Sequence, residues 1–127
     1  MHDQDLAIVR ALVPVAWADG EYSPRERETL EGLLAAYDAT PDEKERILGF
    51  AAEKRTLDDI DLQELSTQDR RVLLQHAVLL TYSDGAQKPV EAQFLQQMAE
   101  RLKIPAEEAK AVMEAASERA KKLLHYL

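Results

Sequence analysis

An all-α fold, a single-domain bundle of about seven helices with an internal pseudo-two-fold repeat, is the architecture this sequence predicts. Three observations predict it. Ala, Leu, Glu, Lys, Arg and Gln, all helix-favouring, dominate the composition. Gly is confined to 4 residues of 127, and the alternation of apolar and polar residues that marks a strand is absent. A helix-stopping Asp-Gly pair occurs twice, at Asp19-Gly20 and Asp84-Gly85, each time between helical patterns. The length suits one domain, residues 1–127, and 46% apolar residues suffice for one core.

The first helix is expected from Asp3 to Trp17, with Leu6, Val9, Leu12, Val13 and Ala16 on one face. Pro14 removes a hydrogen bond to the preceding turn and should kink it. Asp19-Gly20 stops it, because Gly tolerates the left-handed conformation a stop requires. Ser23-Pro24-Arg25-Glu26 is a complete start signal: Ser23 as N-cap, Pro24 at the first helical position, Glu26 closing a capping box. This second helix should bury Leu30, Leu33, Leu34 and Tyr37. Thr40-Pro41-Asp42-Glu43 repeats the signal for a third, burying Ile47, Leu48 and Ala51. Residues 57–65 read as a short acidic helix or connection. Ser66 or Thr67 caps the next helix, which runs to about Ser83. Its stretch 72–80 is apolar nearly all round, interrupted by Gln75 and His76, as in a central helix. Asp84-Gly85 ends it. A sixth helix starts at Pro89 and buries Phe94, Leu95, Met98 and Leu102. Pro105 opens a seventh, with Val112, Met113, Ala116, Ala120, Leu123 and Leu124 inward.

A shift of 65 residues superimposes the two halves without a gap. Asp19 falls on Asp84, Gly20 on Gly85, Pro24 on Pro89, Glu26 on Glu91 and Leu30 on Leu95. The flanks agree in character: Val13 with Val78, Trp17 with Tyr82, Leu33 with Met98, Ile47 with Val112. The repeat units span about 3–54 and 67–127. In a pseudo-two-fold bundle the two turns are able to lie near each other.

Charge and composition narrow the function. The formal charge of −8, from 24 acids and 16 bases, repels phosphate. That argues against nucleic acid as a partner and against an anionic membrane surface. The absence of cysteine removes disulfides, thiolate metal sites and thiol nucleophiles. It fits a reducing compartment, and a cytoplasmic location is expected. Asp3 and Asp5 stand where a signal peptide carries positive charge. The apolar stretch from Leu6 to Trp17 is broken by Arg10 and too short to span a bilayer, so no membrane insertion is expected.

The repeat itself carries the candidate chemistry. Each copy presents an Asp-Gly turn and a Glu six residues after the Gly, so Asp19, Glu26, Asp84 and Glu91 offer oxygens to a hard divalent cation. The spacing equals the second half of an EF-hand loop. The first half is missing, since its first and third positions fall on Val15 and Trp17, and on Leu80 and Tyr82. A structural account competes. Asp19 and Asp84 can hydrogen-bond turn backbone, and Glu26 has its capping box with Ser23. Glu91 is harder to explain by capping, because Lys88 is a poor N-cap, although a helix N-terminus favours an acid.

The stretch Ala16-Trp17-Ala18-Asp19-Gly20-Glu21-Tyr22-Ser23-Pro24-Arg25-Glu26, followed by Leu30 and Leu33, resembles the signature of TerB-like (tellurite-resistance) domains. Tyr82-Ser83-Asp84-Gly85 through Pro89, Val90 and Glu91 resembles its second occurrence. The resemblance covers nearly the whole chain. It implies about seven helices with internal pseudo-symmetry and an acidic patch for divalent metal, carried here by Asp19, Glu26, Asp84 and Glu91. It further implies a role in tellurite resistance or stress response, often near membrane partners, without catalysis. Related domains occur beside a J-domain in membrane-anchored co-chaperones. The second copy departs from the pattern: Ala86 replaces the acid at Glu21, and Lys88 replaces Ser23, so symmetrical metal binding is not implied.

Other residues have plainer readings. His76 is expected as a hydrogen-bonded histidine at the core edge rather than a ligand. His2 and His125 lie near the ends and form no zinc pattern. Trp17 and Tyr82 are expected to pack against the turns with polar tips toward solvent. Asp58, Asp59, Asp61 and Glu64 form a solvated face or a docking surface for a basic partner. The favoured expectation is therefore a non-enzymatic binding module with a protein partner and a divalent metal as candidate cofactor. The alternatives are a co-chaperone-type interaction module without metal and a metal-dependent hydrolase. The last lacks the Glu-x-x-His pair common in helical carboxylate sites.

Overall fold

The computed structural model describes residues 3–82 and 87–125, with side chains to residue 122. Six α-helices are present among them: α1 (Asp3–Ala16), α2 (Pro24–Ala36), α3 (Pro41–Ala51), α4 (Thr67–Thr81), α5 (Pro89–Arg101) and α6 (Ala106–His125). No strand occurs among the described residues. The expected count of seven included one helix over 57–65. That segment instead forms two single-turn 3-10 helices, Leu57–Asp59 and Leu62–Glu64. Thr56 and Asp61 start each turn by accepting a backbone N–H, and so short an acidic stretch buries too little to propagate further.

The start signals act as the sequence predicts. At α2 the Ser23 hydroxyl accepts the Glu26 N–H at 3.2 Å, and Glu26 accepts the Ser23 N–H at 3.0 Å. At α3 Thr40 and Glu43 make the same reciprocal pair. The repeat extends to the helix ends. Shifted by 65 residues, Pro24 and Ala36 of α2 become Pro89 and Arg101, the bounds of α5. The α2 and α5 C-termini also match. Asp38 and Lys103 occupy equivalent positions at φ 57° and 58°. The next N–H reaches back in each, Ala39 to the Leu34 carbonyl and Ile104 to the Ala99 carbonyl. These are left-handed helix stops made without glycine.

α1 and α4 pack against each other at the centre, with α2 and α3 on α1, and α5 and α6 on α4. The expectation of one buried face on α1 is too narrow. Ala7, Ile8, Val9 and the run Ala11 to Ala16 are all buried, and Arg10 alone breaks the run. A helix that packs against neighbours on several sides buries most of its circumference, and α4 likewise buries Leu73, Leu74, Ala77, Val78 and Leu80 while Gln75 stays exposed. Pro14 is accommodated in the last turn of α1, where bonds of the 3-10 type from Trp17 and Ala18 take over. On the outer helices some expected core residues, including Leu33, Leu48, Phe94, Val112 and Met113, are half-buried against the core. The inward placement expected of Leu123 and Leu124, and the helix stop at Asp84-Gly85, lie outside the described residues.

Candidate functional site

The first Asp-Gly turn follows α1 directly. Gly20 adopts φ 84°, a conformation costly for any residue with a Cβ, and its N–H bonds the Trp17 carbonyl at 2.9 Å. Asp19 Oδ1 accepts the Glu21 N–H at 3.0 Å, an Asx turn. Its other oxygen, Oδ2, accepts from Lys88 Nζ at 2.6 Å. Burial of the Asp19 carboxylate alone would raise its pKa. The Lys88 hydrogen bond, the Glu21 N–H and the ammonium charge outweigh that, so the pKa lies below the usual 3.8.

This ion pair joins the two repeats. Lys88 is the N-cap of α5, in the place that Ser23 holds before α2. A lysine cannot accept an N–H, so its side chain is available to cross to the first turn. Sequence reasoning singled out Lys88 as a weak cap; the signal that would have linked it to Asp19 was the expected proximity of the two turns.

Glu26 and Glu91 are only 4% and 6% exposed. Glu26 accepts the Ser23 N–H, and Glu91 accepts the Lys88 N–H at 2.9 Å. Glu91 therefore does half of the capping-box work even without a serine. Asp84, the fourth predicted ligand, lies outside the described residues. Among the described residues no three His, Cys, Asp or Glu side chains are grouped to hold a metal ion. Carboxylate oxygens are the right donors for a hard divalent cation. Asp19, Glu26 and Glu91 nevertheless each have a hydrogen bond to backbone, and the lysine ammonium already sits on Asp19.

The aromatic flank differs from expectation. The Trp17 indole N–H points inward, donating to the Ala51 carbonyl at 2.9 Å at the end of α3. Its ring stacks on Tyr22 with centroids 5.5 Å apart. A free α3 carbonyl is a better partner for a half-buried indole than solvent, since an end carbonyl of a helix lacks an intrahelical bond. The Tyr22 hydroxyl is buried with no hydrogen-bond partner among the described residues, and burial raises its pKa. Tyr82 is half-buried against the core.

His76 on α4 meets the Tyr37 hydroxyl at 3.2 Å, with its pKa lowered by burial, as a core-edge histidine should. The acidic run largely serves local structure. Asp59 accepts the Thr56 N–H, Asp61 accepts the Gln63 N–H, and Asp58 faces Arg101 at 3.8 Å. No described helix is long and apolar enough to cross a membrane. A family model described as tellurite resistance protein TerB matches residues 5–114. No curated protein and no solved structure matches the chain.

Proposed function

The chain belongs to the TerB family, and from that premise we propose that it is a non-enzymatic binding module of a tellurite-resistance or stress-response system. It holds a divalent cation at the two acidic turns and presents the loaded surface to a protein partner, membrane-associated or cytoplasmic. The observation that carries this reading is the 2.6 Å contact between Lys88 and Asp19. It brings the start of α5, where Glu91 accepts the Lys88 N–H, to the first turn. Asp19, with Asp84 and the glutamates Glu26 and Glu91, would hold the metal; when bound, the metal supplies charge neutralisation. The Lys88 ammonium competes with it.

Calorimetry with Ca²⁺, Mg²⁺, Mn²⁺ and Zn²⁺ tests the proposal. Asp19→Asn combined with Asp84→Asn should weaken binding about tenfold or more, the scale of one lost charged contact. Lys88→Ser, which restores the residue of the first copy, should strengthen it. Absence of heat at millimolar metal from both the natural chain and Lys88→Ser would reject metal binding.

The reading without metal has its own support. Each described carboxylate of the site already serves the backbone, and a tethered ammonium occupies Asp19. On that reading the module binds its protein partner unaided. The Asn variants then lose stability while capture of the partner from the host is unchanged.

A further inference from the structure

The first repeat carries a basic cluster that the second lacks. A cleft of 370 Å³ between α1 and α3 is lined by Arg10, Arg46, Arg55 and Phe50, with Leu6 and Ile47 as apolar wall. Arg55 is fixed in place: its Nε donates to the Phe50 carbonyl at 2.9 Å, and its guanidinium lies 3.9 Å from the Phe50 ring centroid. Arg10 stacks on the same ring at 4.6 Å. Two guanidiniums are thereby held against one ring in a protein of net charge −8.

The acid on the cleft wall is Glu53, 79% exposed and 3.5 Å from Arg55. Beyond Arg10 a smaller recess carries Asp59, Asp61 and Glu64. None of these is in ion-pair reach of Arg10 or Arg46, which have no ion pair among the described residues. Local structure accounts for Arg55, which closes the C-terminus of α3. Stacking on Phe50 engages the Arg10 guanidinium face but not its N–H donors, and neither contact accounts for Arg46. The 65-residue shift places Gln75, Ala111, Ala115 and Ala120 at the positions of Arg10, Arg46, Phe50 and Arg55. The shared helical framework therefore forms without the cluster.

We propose that this cleft binds a small soluble phosphate monoester, its dianion taken by the guanidiniums and its organic part lying on Leu6 and Ile47. Guanidinium forks match phosphate oxygens in pairs, and the cleft is lined by three of them. The volume falls in the range of small-ligand sites, roughly 300–1,000 Å³. The acidic remainder of the surface disfavours a polyanion or a charged membrane, whose contacts extend over many residues. A small ligand feels chiefly the local arginines, because salt screens charges beyond about 8 Å.

Titration of the natural chain with inorganic phosphate and with phenyl phosphate, followed by NMR of the arginine Nε–H groups, tests this. Saturable shifts at Arg10, Arg46 and Arg55 are expected, with phenyl phosphate the tighter ligand and chloride at equal ionic strength inert. Arg10→Gln combined with Arg46→Gln leaves the Arg55 anchor intact and should weaken binding about tenfold or more. Arg46→Glu, a single change on an exposed helix face, should do the same if the double variant is poorly folded. Arginine signals unmoved by phosphate at tens of millimolar, the weak end of specific affinity, overturn the proposal. So does equal binding by both variants. Co-sedimentation with phosphatidic acid–phosphatidylcholine vesicles, without response to the soluble esters, overturns it in favour of a lipid surface.

Discussion

The first repeat opens α2 on Ser23, and the second opens α5 on Lys88. Ser23 closes its own capping box, so the first start is self-contained. Lys88 donates its backbone N–H to Glu91 and its side-chain ammonium to Asp19 in the other repeat. At this position the first copy has a hydroxyl that caps its own helix, and the second has an ammonium that ties the halves together. Elsewhere the copies diverge further: Arg10 and Arg55 stack on Phe50 of α3 and Arg46 lines the same cleft, where α6 has alanines at the places of Arg46, Phe50 and Arg55. A duplicated framework tolerates such divergence because its cost is set by the buried positions, which remain alike.

The sharpest test of that likeness is in the core. Leu30 and Leu95 are equivalent and both essentially buried. Leu30→Ala and Leu95→Ala should each lose about 2–5 kcal/mol in urea unfolding. A loss under 1 kcal/mol at either site would show that the repeats do not share one core geometry. Capping should then separate the copies. Ser23→Ala should cost about 1 kcal/mol, whereas Lys88→Ala removes a partly exposed ion pair worth only a few tenths to about 1 kcal/mol. A double-mutant cycle of Lys88→Ala with Asp19→Asn measures their coupling.

The matched helix stops invite the opposite change. Glycine at Lys103 relieves a left-handed strain of about 1 kcal/mol, and less at Asp38, because Asp tolerates that conformation better than Lys. Lys103→Gly should therefore raise the melting temperature more than Asp38→Gly.

The smallest effects are in pH. Burial holds the His76 imidazole below its usual 6.5, so the unfolded chain binds the proton first. Its contribution is full above pH 6.5 and is lost as pH falls through the folded value. The first copy has Ala11 at this place, and His76→Gln should flatten the decline between neutral and mildly acidic pH. Asp19, whose pKa is below 3.8 in the folded protein, stabilises above pH 3.8 and loses that contribution only in stronger acid. The difference between the natural chain and Asp19→Asn should shrink there.

Helix starts and the all-helical class were legible in the sequence because each depends on composition and on neighbours within one turn of chain, and the duplicated register because the same short motif recurs at a fixed shift. Ser23 with Glu26 and Thr40 with Glu43 show this, as does the 65-residue recurrence of Asp-Gly, Pro and Glu. The burial of α1 from Ala7 to Ala16 on all sides but that of Arg10 was not legible, since periodicity reports one face and cannot show how many neighbours surround a helix. Nor were the stops at Asp38 and Lys103, made by residues that usually avoid positive φ. The candidate site divides in the same way. Local spacing marked Asp19, Glu26, Asp84 and Glu91 as a carboxylate set. Only the folded chain decided that Glu26 and Glu91 turn back to their own helix starts, that Lys88 reaches Asp19 across 69 residues, and that Arg10 and Arg55 meet on one ring. Those contacts rest on the packing of α1 against α3 and of one repeat against the other, and such distances are set by the whole core rather than by any one segment.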